Sequence, residues 1–172
     1  MILLKIAICD DRKEDKDRMH QYVQQFCLEK MLQAEIKVFD HPDALICACE
    51  KLRPHIYILD IVMPMVNGIQ AARELTSNQP DAQIIFVTSE DSFALESFDV
   101  NPVNYLLKPV RKEKLFATLK LALKRISLEE EKTITIKVKG GYCTLYLNDI
   151  VYVDYRNHVV NYHLLSGEVI ST

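Results

Sequence analysis

Hydrophobic and polar positions along this chain follow two rhythms. Up to about residue 131, short apolar runs alternate with longer segments whose apolar residues recur at helical spacing. Leu3–Cys9 is an apolar run suited to a buried parallel strand, closed by Asp10-Asp11. Residues 13–31 place Met19, Tyr22, Val23, Phe26 and Leu28 near helical spacing. Ile36–Phe39 is a second strand, Asp43–Leu52 a second helix, and Ile56–Leu59 a third strand closed by Asp60. A loop with Pro64 and Asn67-Gly68 leads into the helix Ile69–Thr76. Gln83–Val87 is the fourth strand, Ser92–Phe98 a short helix, Val103–Leu107 the fifth strand, and Arg111–Leu128 a long final helix. Its Leu115, Phe116, Leu119, Leu123 and Ile126 share one stripe.

After Lys132 the period changes from helical to two. Thr133–Lys139 alternates, Gly140-Gly141 is a turn, and Tyr142–Leu147, Ile150–Asp154 and Val159–Leu164 are further short strands before a turn at Ser166-Gly167. The pattern predicts a doubly wound α/β unit with a five-stranded parallel sheet over residues 1–126, a linker at 127–132, and a short all-β segment over 133–172. About 40 residues bury too little surface to be more than marginal alone.

Composition narrows the class. Apolar residues make up 49% and charged residues 26% of the 172, and Gly plus Pro total only 10. A collagen-like or Pro/Gly-rich disordered chain is excluded. No apolar run approaches the ~18 residues of a membrane span, and the N-terminus lacks the pattern of a secretory signal. Five scattered cysteines, an odd number, point to reduced thiols in the cytoplasm. The net charge is −3, but residues 132–172 carry 4 Lys and Arg against 3 Asp and Glu. A mildly basic tail permits nucleic-acid contact without demanding it.

The candidate chemistry sits at the strand ends. In a doubly wound sheet of order 2-1-3-4-5, the first and third strands are neighbours, and ligands bind beyond the carboxyl ends. Asp10, Asp11 and Asp60 then converge and repel one another. A hard divalent cation such as Mg²⁺ resolves that conflict. Lys108 offers a point charge and Thr88 a hydroxyl to phosphate oxygens. Cys47 and Cys49, two apart on a helix, face different ways and find no second pair with zinc spacing. His20, His41 and His55 likewise lack supporting spacing.

Asp10-Asp11, Asp60-Ile-Val-Met-Pro64-Met-Val-Asn-Gly68, Thr88 and Lys108-Pro109 together resemble the signature of the receiver domain of two-component response regulators. The resemblance covers about residues 1–125. It implies a flavodoxin-like fold and a phosphorylation switch rather than a turnover enzyme. By resemblance, Asp60 is the phosphoacceptor for a sensor histidine kinase. Asp11, Asp60 and the backbone carbonyl of Val62 ligate Mg²⁺, with Asp10 more indirect. Lys108 pairs with the acyl phosphate ahead of a cis peptide at Pro109. Thr88 and the aromatic Tyr105 form the switch, and Val62 and Glu90 stand where water access is controlled.

Residues 133–172 resemble the first part of a LytTR-type DNA-binding domain, through Ile134-x-Ile136-x-Val138, Gly140-Gly141, Leu147–Asp154 and Arg156-Asn157-His158. That resemblance implies transcriptional output, with the loop Tyr155–His158 and its Arg156, Asn157 and His158 as DNA-contact candidates. The expected β domain is about half present. A homodimer on phosphorylation is the further expectation. A receiver acting by protein contact alone is the alternative. A Mg²⁺-dependent phosphohydrolase is disfavoured, since Val62 occupies the place of its second Asp. A flavodoxin-like cofactor site is disfavoured by two carboxylates where a phosphate loop needs Gly, Ser or Thr.

Overall fold

A computed structural model of the chain describes residues 3–64, 67–90, 92–93, 96–130, 133–156 and 158–172, with backbone only at 97–98 and 128–130. The described elements divide into two units, Met1–Arg125 and Ile126–Thr172.

The first unit contains β1 (Leu4–Cys9), α1 (Lys13–Glu29), β2 (Ala34–Phe39), α2 (Pro42–Leu52), β3 (Ile56–Leu59), α3 (Gly68–Asn78), β4 (Gln83–Thr88), β5 (Asn104–Leu107) and most of α4 (Lys112–Glu130). The five strands form one parallel sheet in the order β2-β1-β3-β4-β5. The central strands β3 and β4 are buried along their whole length, as their unbroken apolar runs require. Ala7, Cys9, Tyr57, Leu59 and Phe86 pack on one face with Leu45 of α2 and Ile69, Ala72 and Leu75 of α3. The alternate residues, including Ile6, Ile8, Ile58 and Ile85, are also buried. Phe26 of α1 meets Phe116 of α4 edge to face at 5.2 Å. Covering both faces leaves the carboxyl ends of the strands as the open polar rim.

One expected helix differs in type and bounds. Where a short helix was expected over Ser92–Phe98, the described residues form a five-residue 3₁₀ helix, Glu96–Val100, and residues 94–95 lie outside the described residues. Asn101 follows in a left-handed conformation (φ 47°) and precedes Pro102, which disfavours continued α-helix at its predecessor. Residues 127–130, expected in a linker, are the last residues of α4.

In the second unit, β6 (Thr133–Val138) and β7 (Gly141–Tyr146) form a hairpin, and β8 (Ile150–Arg156), β9 (Val159–Leu164) and β10 (Val169–Ser171) form an antiparallel sheet in the order β10-β9-β8. The register of β8 shifts between Ile150 and Tyr152. This bulge leaves Ile150 on the same face as Val153 and Tyr155, opposite Leu164, Tyr162 and Val160. The other face is polar: Asp154 accepts from Asn161 at 2.9 Å and pairs with His163 Nε2 at 2.8 Å, and Tyr152 stacks on His163.

Of the five cysteines, only Cys47 is exposed. No described helix is long and apolar enough to cross a membrane.

Candidate functional site: an acidic rim with one ammonium

Backbone pairing runs one residue past the strands and lines up the rim. The Asp60 amide donates to the Cys9 carbonyl at 2.9 Å, Asp10 to Phe39 at 3.2 Å, and Lys108 to Thr88 at 2.8 Å. Asp10, Asp60 and Lys108 are thereby each held by the neighbouring strand. Local caps fix the side chains. Asp10 Oδ1 accepts from the Arg12 amide at 2.9 Å, and Asp60 Oδ1 from the Val62 amide at 3.0 Å. The chain then turns into α3, where Asn67 caps the helix by accepting from the Ile69 amide. Gly68 is dictated by space, because a Cβ there would lie 2.0 Å from the Asp60 carbonyl oxygen.

The remaining oxygens converge. Asp10, Asp11 and Asp60 offer ligand atoms that all lie within 4.8 Å of one another. Asp10 and Asp60 are buried and Asp11 is less so. The Lys108 ammonium reaches Asp60 Oδ2 at 2.6 Å and Asp10 Oδ2 at 2.8 Å. The peptide bond between Lys108 and Pro109 is cis.

Burial pushes the Asp10 carboxyl above its ordinary range, against the lowering effect of Lys108. Burial also pulls on the Lys108 ammonium, but hydrogen bonds to Asp10 and Asp60 outweigh it and leave the group above the usual lysine value. The Cys9 thiol, buried beside Asp10, is pushed up to about 12 and is inert at neutral pH. The donor set therefore combines carboxylate oxygens, which suit a hard cation, with a single compensating ammonium.

Thr88 is fully buried at the end of β4, and its Oγ1 accepts from the Glu90 amide at 3.3 Å. Tyr105 on β5 donates its hydroxyl to the Glu90 carbonyl and packs near Phe86. Val62 exposes its side chain beside Asp60.

Sequence reasoning missed Asp15. It lies in the first turn of α1, and its Oδ2 stands 3.2 Å from the Lys108 ammonium. Asp15 lies on the buried face of α1 with Met19, Val23 and Phe26, so an acid at an apolar position of the helical period was the available signal.

The loop expected over Tyr155–His158 is shorter than its pattern suggested. Tyr155 and Arg156 are strand residues paired with Val160 and Val159. His158 occupies the turn at φ 66°, accompanied by the Tyr155 hydroxyl at 3.2 Å. The exposed Arg156 stands 3.7 Å from Asp154. Asn157 lies outside the described residues.

Residues 6–120 match the response regulator receiver domain family. The chain belongs to that family. Receivers of this kind are phosphoacceptor switches, not turnover enzymes. The positive alginate biosynthesis regulatory protein of Pseudomonas aeruginosa is 36% identical over 119 residues, covering 69% of this chain and 47% of that protein. The sensory transduction protein LytT of Bacillus cereus is 27% identical over 169 residues, covering 88% and 65%. The chain thus spans about half to two thirds of the length of these two relatives. The signal receiver domain of a modulated diguanylate cyclase from Desulfovibrio desulfuricans superposes with a TM-score of 0.64 at 25% identity, covering 75% of this chain and all of that one. The response regulatory domain of mrkE from Klebsiella pneumoniae gives 0.65 at 20%, covering 73% and 99%.

Proposed function

We propose that this receiver is the phosphorylation-switched input of a cytoplasmic two-component regulator, and that Asp60 accepts a phosphoryl group from a phosphohistidine on a sensor histidine kinase. The observation that supports this most is the Lys108 ammonium, 2.6 Å from Asp60 on a rim that also carries Asp10 and Asp11. An Asp60 oxygen attacks phosphorus in line. The new O–P bond forms as the P–N bond breaks, and the imidazole leaves. Lys108 neutralises charge on the transferring oxygens, and the Thr88 hydroxyl donates to one of them. Asp10, Asp11, Asp60 and the Val62 carbonyl would hold Mg²⁺, which supplies further positive charge to the same oxygens. Tyr105, joined to Thr88 through the Glu90 backbone, carries the change toward a face on which two copies of the chain pair.

The output reading is transcriptional. It is supported by the likeness to LytT proteins, which extends beyond the receiver into the β-rich unit. Arg156, Asn157 and His158 are the DNA-contact candidates.

Intact-mass spectrometry tests the phosphoacceptor. Acetyl phosphate with Mg²⁺ is expected to add one phosphoryl group, lost in Asp60→Asn and in EDTA. Unchanged labelling of Asp60→Asn refutes the assignment.

A further inference from the structure

Asp15 is the carboxylate that the reading above does not use. It is 8% exposed, and its Oδ2 is buried with no hydrogen-bond partner among the described residues. That oxygen points at the Lys108 ammonium, 3.2 Å away. Arg12 Nε stands 3.6 Å from Oδ2, and Arg18 Nη1 stands 3.6 Å from Oδ1. A buried carboxylate oxygen without a donor is costly, so its retention against the rim calls for a reason.

The reason lies in the sharing of one ammonium. Lys108 faces Asp60, Asp10 and Asp15 at 2.6, 2.8 and 3.2 Å. Asp10 and Asp60 belong to the clustered set that suits a cation, and Asp15 does not. Once their oxygens serve a divalent cation, Asp10 and Asp60 attract the ammonium less, and two like charges stand side by side. Asp15 is the anion that still faces Lys108, with Arg12 and Arg18 adding positive charge beside it.

We propose that Asp15 is a positioning residue that retains the Lys108 ammonium on the rim when Asp10, Asp11 and Asp60 hold a divalent cation, so that the ammonium meets the incoming phosphoryl group. This rests on the phosphoacceptor reading above.

The test uses the full 172-residue chain, Asp15→Asn, Asp15→Glu, and Asp15→Asn in a Lys108→Met background, all at saturating Mg²⁺. The first readout is the ¹H–¹⁵N spectrum of the lysine ammonium groups, which is independent of phosphotransfer. The unsubstituted chain is expected to show a Lys108 signal protected from water exchange, and Asp15→Asn to lose it. The second readout is the labelling rate with acetyl phosphate. Asp15→Asn is expected to label roughly tenfold more slowly, the scale of one weakened charge-assisted contact. Asp15→Glu should recover part of that loss, and Asp15→Asn should add nothing once Lys108 is Met.

A Lys108 signal that is missing from the unsubstituted chain or unchanged in Asp15→Asn overturns the proposal. So does labelling of Asp15→Asn at or above the original rate. An equal loss with and without Lys108 overturns it too, as the mark of general damage to the fold. Failure of the unsubstituted chain to form any Asp60 adduct instead refutes the phosphoacceptor reading, and the ammonium spectrum still decides whether Asp15 holds Lys108.

Discussion

Gly68 marks the tightest point of the site's scaffold. Its amide donates to the Ile61 carbonyl at 3.0 Å, and the backbone of Asp60 occupies the place a side chain would take. Gly68→Ala must push α3 away from the end of β3 or twist the Asp60 peptide. The substitution is expected to cost about 1–3 kcal/mol or more, as overpacking does. A urea titration of both chains checks it, and a midpoint unchanged by the alanine contradicts the close approach. The same residue shows how sequence legibility runs out. Asn67-Gly68 is readable as a turn signal, but only the fold shows which carbonyl lies above the glycine. Asp10, Asp11, Asp60, Thr88 and Lys108 were legible because a strand ending in a polar residue announces itself in one dimension. Asp15 was passed over despite its place one turn before Met19, since an acid in the first turn of a helix usually serves the helix dipole in water.

At the scale of elements, the link between β4 and β5 is the part whose pattern misled. Ser92–Phe98 has enough apolar residues for a helical turn, and the described residues form a short 3₁₀ segment, Glu96–Val100, before Asn101 and Pro102. Short helical segments of this kind have few internal hydrogen bonds to lose, so they rearrange at low cost. The Tyr105 hydroxyl on the Glu90 carbonyl ties β5 to the start of that link, next to Thr88. Beryllofluoride, a phosphoryl mimic, is therefore expected to change hydrogen exchange around residues 90–110. Changes confined to residues 12–50 would argue for another route. Strands β6 to β9 of the second unit were legible from their period of two, whereas β10, only three residues long, is too short to show a period. The bulge in β8 was not, because Ile150-Val151-Tyr152-Val153 breaks strict alternation and only pairing with β9 shows which residue is extra.

At the scale of the whole molecule, charge is unevenly distributed: residues 132–172 carry a slight positive balance, 4 Lys and Arg against 3 Asp and Glu, while the chain as a whole is at −3. The turn between β8 and β9 offers Arg156 and His158, and Arg156 is partly engaged by Asp154. Affinity for DNA grows with the number of phosphates neutralised. The 172-residue chain is expected to bind a mixed-sequence duplex weakly, at about 10⁻⁴–10⁻⁶ M, and less well as salt rises. Arg156→Ala should weaken it further. Fluorescence anisotropy at fixed salt checks both. Tight binding, or no loss with the alanine, would move the contact surface elsewhere.

The cysteines carry a different consequence of the same architecture. Cys9 and Cys27 are buried, burial pushes the Cys9, Cys27 and Cys49 thiols up, and Cys47 alone is exposed, on a helix that contributes no side chain to the acidic rim. With Cys143 half-buried in β7, Cys47 is the most accessible attachment point of the unmodified chain. A thiol-directed dye placed at Cys47 rides on α2 and leaves Asp60 and its neighbours chemically untouched.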